Sequence, residues 1–97
     1  MRVRFSSAAL RQIDKALGYV AARSPSGAAK IEARLSAIVE LVRFQPDAGL
    51  KTRVPMVKRV FLTPYPYLID YQISADEIVV LRFRHTSRNP SRIPGRA

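Results

Sequence analysis

The sequence contains no cysteine and a single histidine, His85. Without cysteine the chain has no disulfides, no thiolate metal ligands and no cysteine nucleophile. One histidine provides no cluster of imidazole ligands, which excludes a structural zinc site. No carboxylate pair, glycine-rich phosphate loop or Ser-His-Asp set can be identified either. We therefore expect no metal and no cofactor, and a conventional hydrolase, kinase or metalloenzyme has no support.

Long apolar runs are also missing. Charged residues interrupt the apolar windows every few positions, and the first residues, Met1 to Phe5, lack the apolar core of a signal peptide. We expect a soluble, cytoplasmic protein that has no membrane partner.

Acidic residues are scarce. Seven Asp and Glu face 17 Lys and Arg, which leaves a net charge of +10, and five arginines but no acid follow from Arg82 onward. Arginine stays charged and binds phosphate or carboxylate through two parallel hydrogen bonds. The composition predicts a polyanionic partner. The plainer alternative is a soluble basic protein without a specific partner.

Hydrophobic periodicity predicts one small α+β domain. Apolar spacings of three and four residues predict two helices, and the first of them buries Leu10. Alternation predicts a strand in which Tyr67, Ile69 and Tyr71 are buried while Asp70 lies on the wetter face. The predicted elements are a strand at 2–5, a helix at 7–22, a second helix from Pro25 that ends before Gln45, and strands at 56–62, 67–73 and 77–85.

This order predicts an N-terminal strand, an antiparallel helical hairpin and a three-stranded antiparallel meander, arranged as two layers (β-α-α-β-β-β). The domain is expected to span residues 1–86. Residues 87–97 combine Ser, Pro, Gly and Arg and are expected to form a basic, flexible tail.

Three groups of residues are candidates for chemistry. His85 titrates near neutral pH and is the only good general acid or base, or it caps the last strand. Arg82, Arg84 and Arg59 would hold an anion, or form a solvated face. The tyrosines at 65, 67 and 71 would stack on bases or pack in the core, and Tyr65, in a turn, is the freest.

The sequence resembles the RelE/ParE superfamily of toxins from toxin-antitoxin systems, also called plasmid-stabilisation proteins. The resemblance spans nearly the whole chain and depends on short motifs in a fixed order. They are the opening strand and helical hairpin with the joint at 24–29, the helix end at 45–49, Arg59, the segment 63–71 that begins Thr-Pro-Tyr-Pro, and the segment 84–90 that begins Arg-His-Thr.

The resemblance implies one of two activities. RelE-like members cleave mRNA on the ribosome without metal, which would here use His85, Arg59, Arg84 and Arg88. Tyr67 stands where those toxins place an arginine, and the loop before Arg59 has no glutamate. The ParE-like branch is therefore favoured.

A ParE-like chain is expected to poison DNA gyrase without covalent chemistry of its own. An acidic cognate antitoxin is then expected to neutralise it. The residues expected to bind the target or another anion are Arg59, Arg82, Arg84, Arg88 and Arg92. A non-toxic basic module that binds nucleic acid remains a further alternative.

Overall fold

A computed structural model describes residues 1–88, with Arg88 described for its backbone only. The chain forms a five-stranded sheet with a helical hairpin on one face. Its elements are β1 (Arg2–Phe5), α1 (Ser7–Arg23), α2 (Pro25–Phe44), a 3₁₀ turn (Pro46–Ala48), β2 (Leu50–Lys51), β3 (Val57–Phe61), β4 (Tyr67–Ile73), β5 (Glu77–His85) and a second 3₁₀ turn (Thr86–Arg88).

The sheet has the strand order β1-β5-β4-β3-β2. Only the pair of β1 and β5 is parallel, and the other three neighbouring pairs are antiparallel. The predicted α+β fold and its helical hairpin are confirmed. The prediction missed β2, whose two residues are too few to show any alternation.

The helices begin where serines cap them. Ser6 Oγ accepts a hydrogen bond from Ala9 N at 3.0 Å, and Ser24 Oγ accepts one from Gly27 N at 3.0 Å. Pro25, at the first position of α2, has no N–H that would need a partner. Ser24 ends α1 and starts α2, so the hairpin turns within one residue.

The prediction of buried residues is better for α2 than for α1. The spacing of three and four residues in α2 predicts a buried stripe of Ala28, Ile31, Leu35, Ile38 and Val42. All of them are buried except Ala28, which is half-buried. In α1 the burial of Leu10 was predicted wrongly, since Leu10 is 51% exposed and Ala9 is fully buried. A backbone hydrogen bond from Ser6 N to Val80 O fixes the first turn on the sheet with Ala9 inward.

A β-bulge divides β5. Asp70 pairs with Arg82 while Tyr71 pairs with Val80, so Leu81 is an extra residue. The bulge places both Val80 and Phe83 on the core face. The N-cap of α1 and one residue of the helix bind backbone groups beside the bulge. Ser6 Oγ donates to Leu81 O at 2.9 Å, and Phe83 N donates to Gln12 Oε1 at 2.8 Å.

The boundary between the domain and the tail stays a prediction. Ser87 and Arg88 belong to the second 3₁₀ turn, whereas Arg92 and the rest of the predicted tail lie outside the described residues. Within residues 1–88, no helix has the length and apolar character needed to cross a membrane.

Replacement by alanine is expected to have opposite effects on stability at two of the glycines. A Cβ on Gly18, inside α1, would meet no atom within 4 Å. A Cβ on Gly49 would lie 2.7 Å from Tyr71 Oη and 3.0 Å from Arg59 O. Gly18→Ala is therefore expected to raise the free energy of unfolding by about 0.5–1 kcal/mol, through helix propensity. Gly49→Ala is expected to lower it.

Urea denaturation of both variants tests this pair. If Gly49→Ala is as stable as the parent chain, Gly49 is not packed closely against Tyr71 and Arg59.

Candidate functional site

The face of the sheet opposite the helices carries most of the predicted cationic residues. The helices pack against the face that contains Ile69, Val80 and Phe83. On the other face Arg59 pairs with Asp70 of β4, and Asp70 pairs with Arg82 of β5. The strand register therefore brings together two arginines that lie 23 positions apart in the sequence.

Asp70 lies at the centre of this arrangement. Its Oδ1 accepts a hydrogen bond from Arg59 Nε at 2.7 Å, and its Oδ2 accepts one from Arg59 Nη2 at 3.2 Å. Arg82 Nε lies 3.6 Å from Oδ2 on the other side. Asp70 is only 4% exposed, so the prediction that it lies on a wet face was wrong. Two guanidinium groups cover it.

The two arginines differ in their availability to a partner. The hydrogen bonds that Arg59 donates to Asp70 raise the pKa of Arg59, although partial burial opposes this, and only 29% of the Arg59 side chain is exposed. Arg82 is 49% exposed and touches Asp70 through one longer contact. Arg59 is thus held as an internal counter-ion, while Arg82 can turn to an external anion.

Arg84 adds a donor to the same face. It pairs with Leu68 two positions beyond Arg82. Its Nε is buried and has no hydrogen-bond partner within residues 1–88. Buried donors in proteins are nearly always paired, so this Nε is an exception within the described residues.

Two further arginines extend the cationic surface to β1. Arg2 and Arg4 lie beside Glu77 on this face, with Arg4 Nε 3.2 Å from Glu77 Oε1 and Arg2 Nη2 3.8 Å from it. We call the set the arginine face: Arg2, Arg4, Arg59, Arg82 and Arg84, with Asp70 and Glu77. Five arginines face two carboxylates there. Arg2 and Arg4 alternate with Val3 and Phe5 in the sequence, but nothing in that alternation connects them to the other arginines.

His85 lies on the helix side of the sheet, not on the arginine face. Simple alternation along the sequence would place His85 on the same face as Leu81, but because of the bulge it pairs with Tyr67 and follows Phe83 on the core side. Its Nδ1 accepts a hydrogen bond from Ser87 N at 3.1 Å and lies 2.7 Å from Ser87 Oγ. The ring also makes an edge contact with Tyr67, at 5.2 Å between centroids.

This arrangement fits the role of a strand cap. A backbone N–H can only donate, so His85 Nδ1 carries a lone pair here and the neutral ring has its proton on Nε2. The structure does not bring His85 together with Arg59 and Arg84. Arg88 is described only as backbone of the second 3₁₀ turn, and Arg92 lies outside the described residues.

The tyrosines divide between core and surface. Tyr71 is fully buried, and Tyr67 is buried and stacks on Phe83 at 5.0 Å between ring centroids. Tyr65 is partly exposed in the turn between β3 and β4. Of these three tyrosines, Tyr65 alone has an accessible side chain.

Comparison with known proteins supports one family. The sequence model of the family described as "ParE toxin of type II toxin-antitoxin system, parDE" matches residues 3–90. The chain is 32% identical over 85 residues to the candidate toxin Y4kP of Sinorhizobium fredii, which covers 87% of this chain and 88% of that protein.

A solved structure has the same fold. One chain of the structure described as "Chromosomal ParDE TA system from P. aeruginosa" aligns with a TM-score of 0.75 and 20% sequence identity. The alignment covers 88% of this chain and 95% of that chain. The likeness therefore supports the fold of most of the chain.

Proposed function

Because this chain belongs to the ParE toxin family of type II toxin-antitoxin systems, we propose that it arrests growth by binding DNA gyrase through the arginine face. The proposal is inhibitory binding without covalent chemistry. An acidic antitoxin neutralises the toxin by covering the same face.

The observation that carries the proposal is the imbalance of charge on one rigid surface. Arg82 and Arg84 project from β5, which is hydrogen-bonded to β1 on one side and β4 on the other. Asp70 pairs closely with Arg59 and only loosely with Arg82, so Arg82 and Arg84 are left for a partner. Cationic side chains held by a sheet favour fast, oriented association with an anionic macromolecule.

Apolar side chains beside the arginines suit a protein partner. Leu50 pairs with Arg59 and Phe61 pairs with Leu68, so both lie on this face at its β2 edge. Both are exposed. An acidic segment with apolar anchors would pair its carboxylates with Arg82 and Arg84 and cover Leu50 and Phe61. This is the chemistry we propose for the antitoxin.

The geometry gives less support to an mRNA endonuclease. A general acid or base must lie within hydrogen-bond reach of the same phosphodiester that the arginines hold. His85 caps the end of β5 on the helix side, whereas Arg59 and Arg84 are on the other side. These groups do not converge on one phosphate.

Expression in bacteria and a gyrase assay together test the proposal. Expression alone is expected to stop growth, and co-expression of an acidic partner encoded beside the gene is expected to restore it. Purified toxin is expected to inhibit supercoiling or to stabilise the gyrase-DNA cleavage complex. The proposal is abandoned if the toxin stops growth but leaves gyrase unaffected while codon-linked mRNA ends appear. Harmless expression with salt-sensitive nucleic-acid binding would favour the simple basic module.

A further inference from the structure

A second cationic site lies away from the arginine face, between α2 and the turn that joins β3 to β4. A cleft of about 610 Å³ is formed there by one outer stripe of α2 and by the turn. Its lining residues are Lys30, Ala33, Arg34, Ala37, Thr63, Pro64 and Tyr65. From these residues we infer that the cleft binds single-stranded nucleic acid, with Lys30 and Arg34 on phosphates and Tyr65 stacked on a base.

The charge of the cleft is unbalanced. None of its seven lining residues is acidic. Lys30 and Arg34 are both exposed, and neither makes an ion pair or a hydrogen bond through its side chain within residues 1–88. They lie one helical turn apart, about 5–6 Å at Cβ, so each can contact a different phosphate of one strand. The cleft therefore suits a polyanion.

The walls of the cleft suit a base better than an aliphatic side chain. Ala33 and Ala37 provide a shallow floor of methyl groups, and the ring of Tyr65 forms a wall. Backbone hydrogen bonds fix the turn, from Tyr65 N to Leu62 O and from Tyr67 N to Tyr65 O, each 2.9 Å. Aromatic rings held beside cationic grooves are platforms on which single-stranded bases stack.

The ligand is expected to be single-stranded rather than duplex. Bases in a duplex are stacked on one another and offer no free ring face to Tyr65. The exposed apolar residues that would anchor a peptide, including Leu50, Met56 and Phe44, are not among those that line this cleft. The inference does not depend on gyrase, because it concerns the isolated chain and a different surface.

Fluorescence anisotropy with a labelled oligothymidylate about twelve nucleotides long tests the inference. Lys30→Ala and Arg34→Ala are each expected to weaken binding about fivefold and to reduce the slope of log affinity against log salt by about 0.7. Tyr65→Leu is expected to weaken binding about fivefold or more without changing that slope. Tyr65→Phe, which keeps the ring, is expected to bind like the parent chain.

Charge-matched controls separate the cleft from the general attraction of a +10 chain. Arg11→Ala and Lys15→Ala remove the same charge from the exposed face of α1 and are expected to have much smaller effects. Circular dichroism melting verifies that each variant is folded. A duplex of equal length is expected to be insensitive to Tyr65→Leu.

Two results would overturn the inference. In the first, the cleft variants bind no worse than the α1 variants, which means that net charge alone attracts the oligonucleotide. In the second, polyglutamate displaces the oligonucleotide as well as unlabelled oligothymidylate does, and Tyr65→Leu has no effect. The cleft would then be a docking site for an acidic peptide.

Discussion

Replacing Asp70 with asparagine is expected to lower the free energy of unfolding by about 2–4 kcal/mol. The amide keeps the shape of the side chain but removes the only carboxylate that contacts Arg59 and Arg82 within residues 1–88. The two guanidinium groups flank this position from neighbouring strands, so the variant leaves like charges beside a buried polar group. Most of the lost free energy of unfolding is expected to come from the broken pair with Arg59, since Arg82 is half exposed and screened by solvent.

Glu77→Gln is the matched control for this prediction. Glu77 also lies between two arginines, but Arg2 and Arg4 are largely exposed, so its replacement is expected to cost less than about 1 kcal/mol. Urea denaturation measures both variants. Replacing both partners with apolar residues, as in Arg59→Met with Asp70→Leu, is expected to recover stability relative to Asp70→Asn. Equal losses for Asp70→Asn and Glu77→Gln would contradict the assignment of Asp70 as a buried counter-ion.

Tyr71→Phe is expected to lower the free energy of unfolding by about 2–3 kcal/mol. The Tyr71 hydroxyl donates to Pro46 O at 2.7 Å and accepts from Gly49 N at 3.0 Å. It thereby ties the segment between α2 and β2 to the middle of the sheet. Phenylalanine fills the same space but leaves one carbonyl and one N–H without their partner, which costs more than the hydrogen bonds contribute.

Tyr67→Phe is the control, because Tyr67 lies on the same strand face and its hydroxyl makes no hydrogen bond within residues 1–88. It is expected to change stability by less than about 0.5 kcal/mol. A loss as large as that of Tyr71→Phe would mean that the tyrosine rings, and not the Tyr71 hydroxyl, respond to the substitution.

Because of the Tyr71 hydroxyl, the free energy of unfolding is expected to depend on pH in the alkaline range. Burial raises the pKa of Tyr71, the nearby charge of Asp47 raises it further, and the hydrogen bond from Gly49 opposes both. A pKa raised on folding stabilises the fold below the ordinary phenol value of about 10, and this contribution is lost as the pH rises through the folded value. The parent chain is therefore expected to lose more stability than Tyr71→Phe between about pH 9 and pH 11.

The sequence predicted those features that depend on local spacing. The steps of three and four in α2 identify its buried stripe, and Ser24 with Pro25 identifies the hairpin joint. The resemblance to the toxin superfamily, and its ParE-like branch, are likewise confirmed. These features require only the residues of one segment, or their order along the chain.

The antiparallel order of β3, β4 and β5 was predicted, but features that depend on the exact register between strands were not. The bulge at Leu81 adds one residue to β5, and nothing in the composition of that strand marks it. It changes which residues share a face with His85. The burial of Asp70 likewise depends on arginines from two other strands. A single acid in the otherwise apolar segment from Tyr67 to Tyr71, with arginines in both adjoining strands, was the available signal.

The most direct test of the central claim compares two double variants in a gyrase supercoiling assay. Arg82→Ala with Arg84→Ala removes two charges from the arginine face, and Arg11→Ala with Lys15→Ala removes two from α1. The first is expected to need at least about tenfold more toxin for half inhibition, since each 1.4 kcal/mol of lost binding is a factor of ten. The second, and His85→Ala, are expected to inhibit like the parent chain. Equal inhibition by both double variants, or toxicity that disappears with His85→Ala while gyrase inhibition is unchanged, would contradict the account.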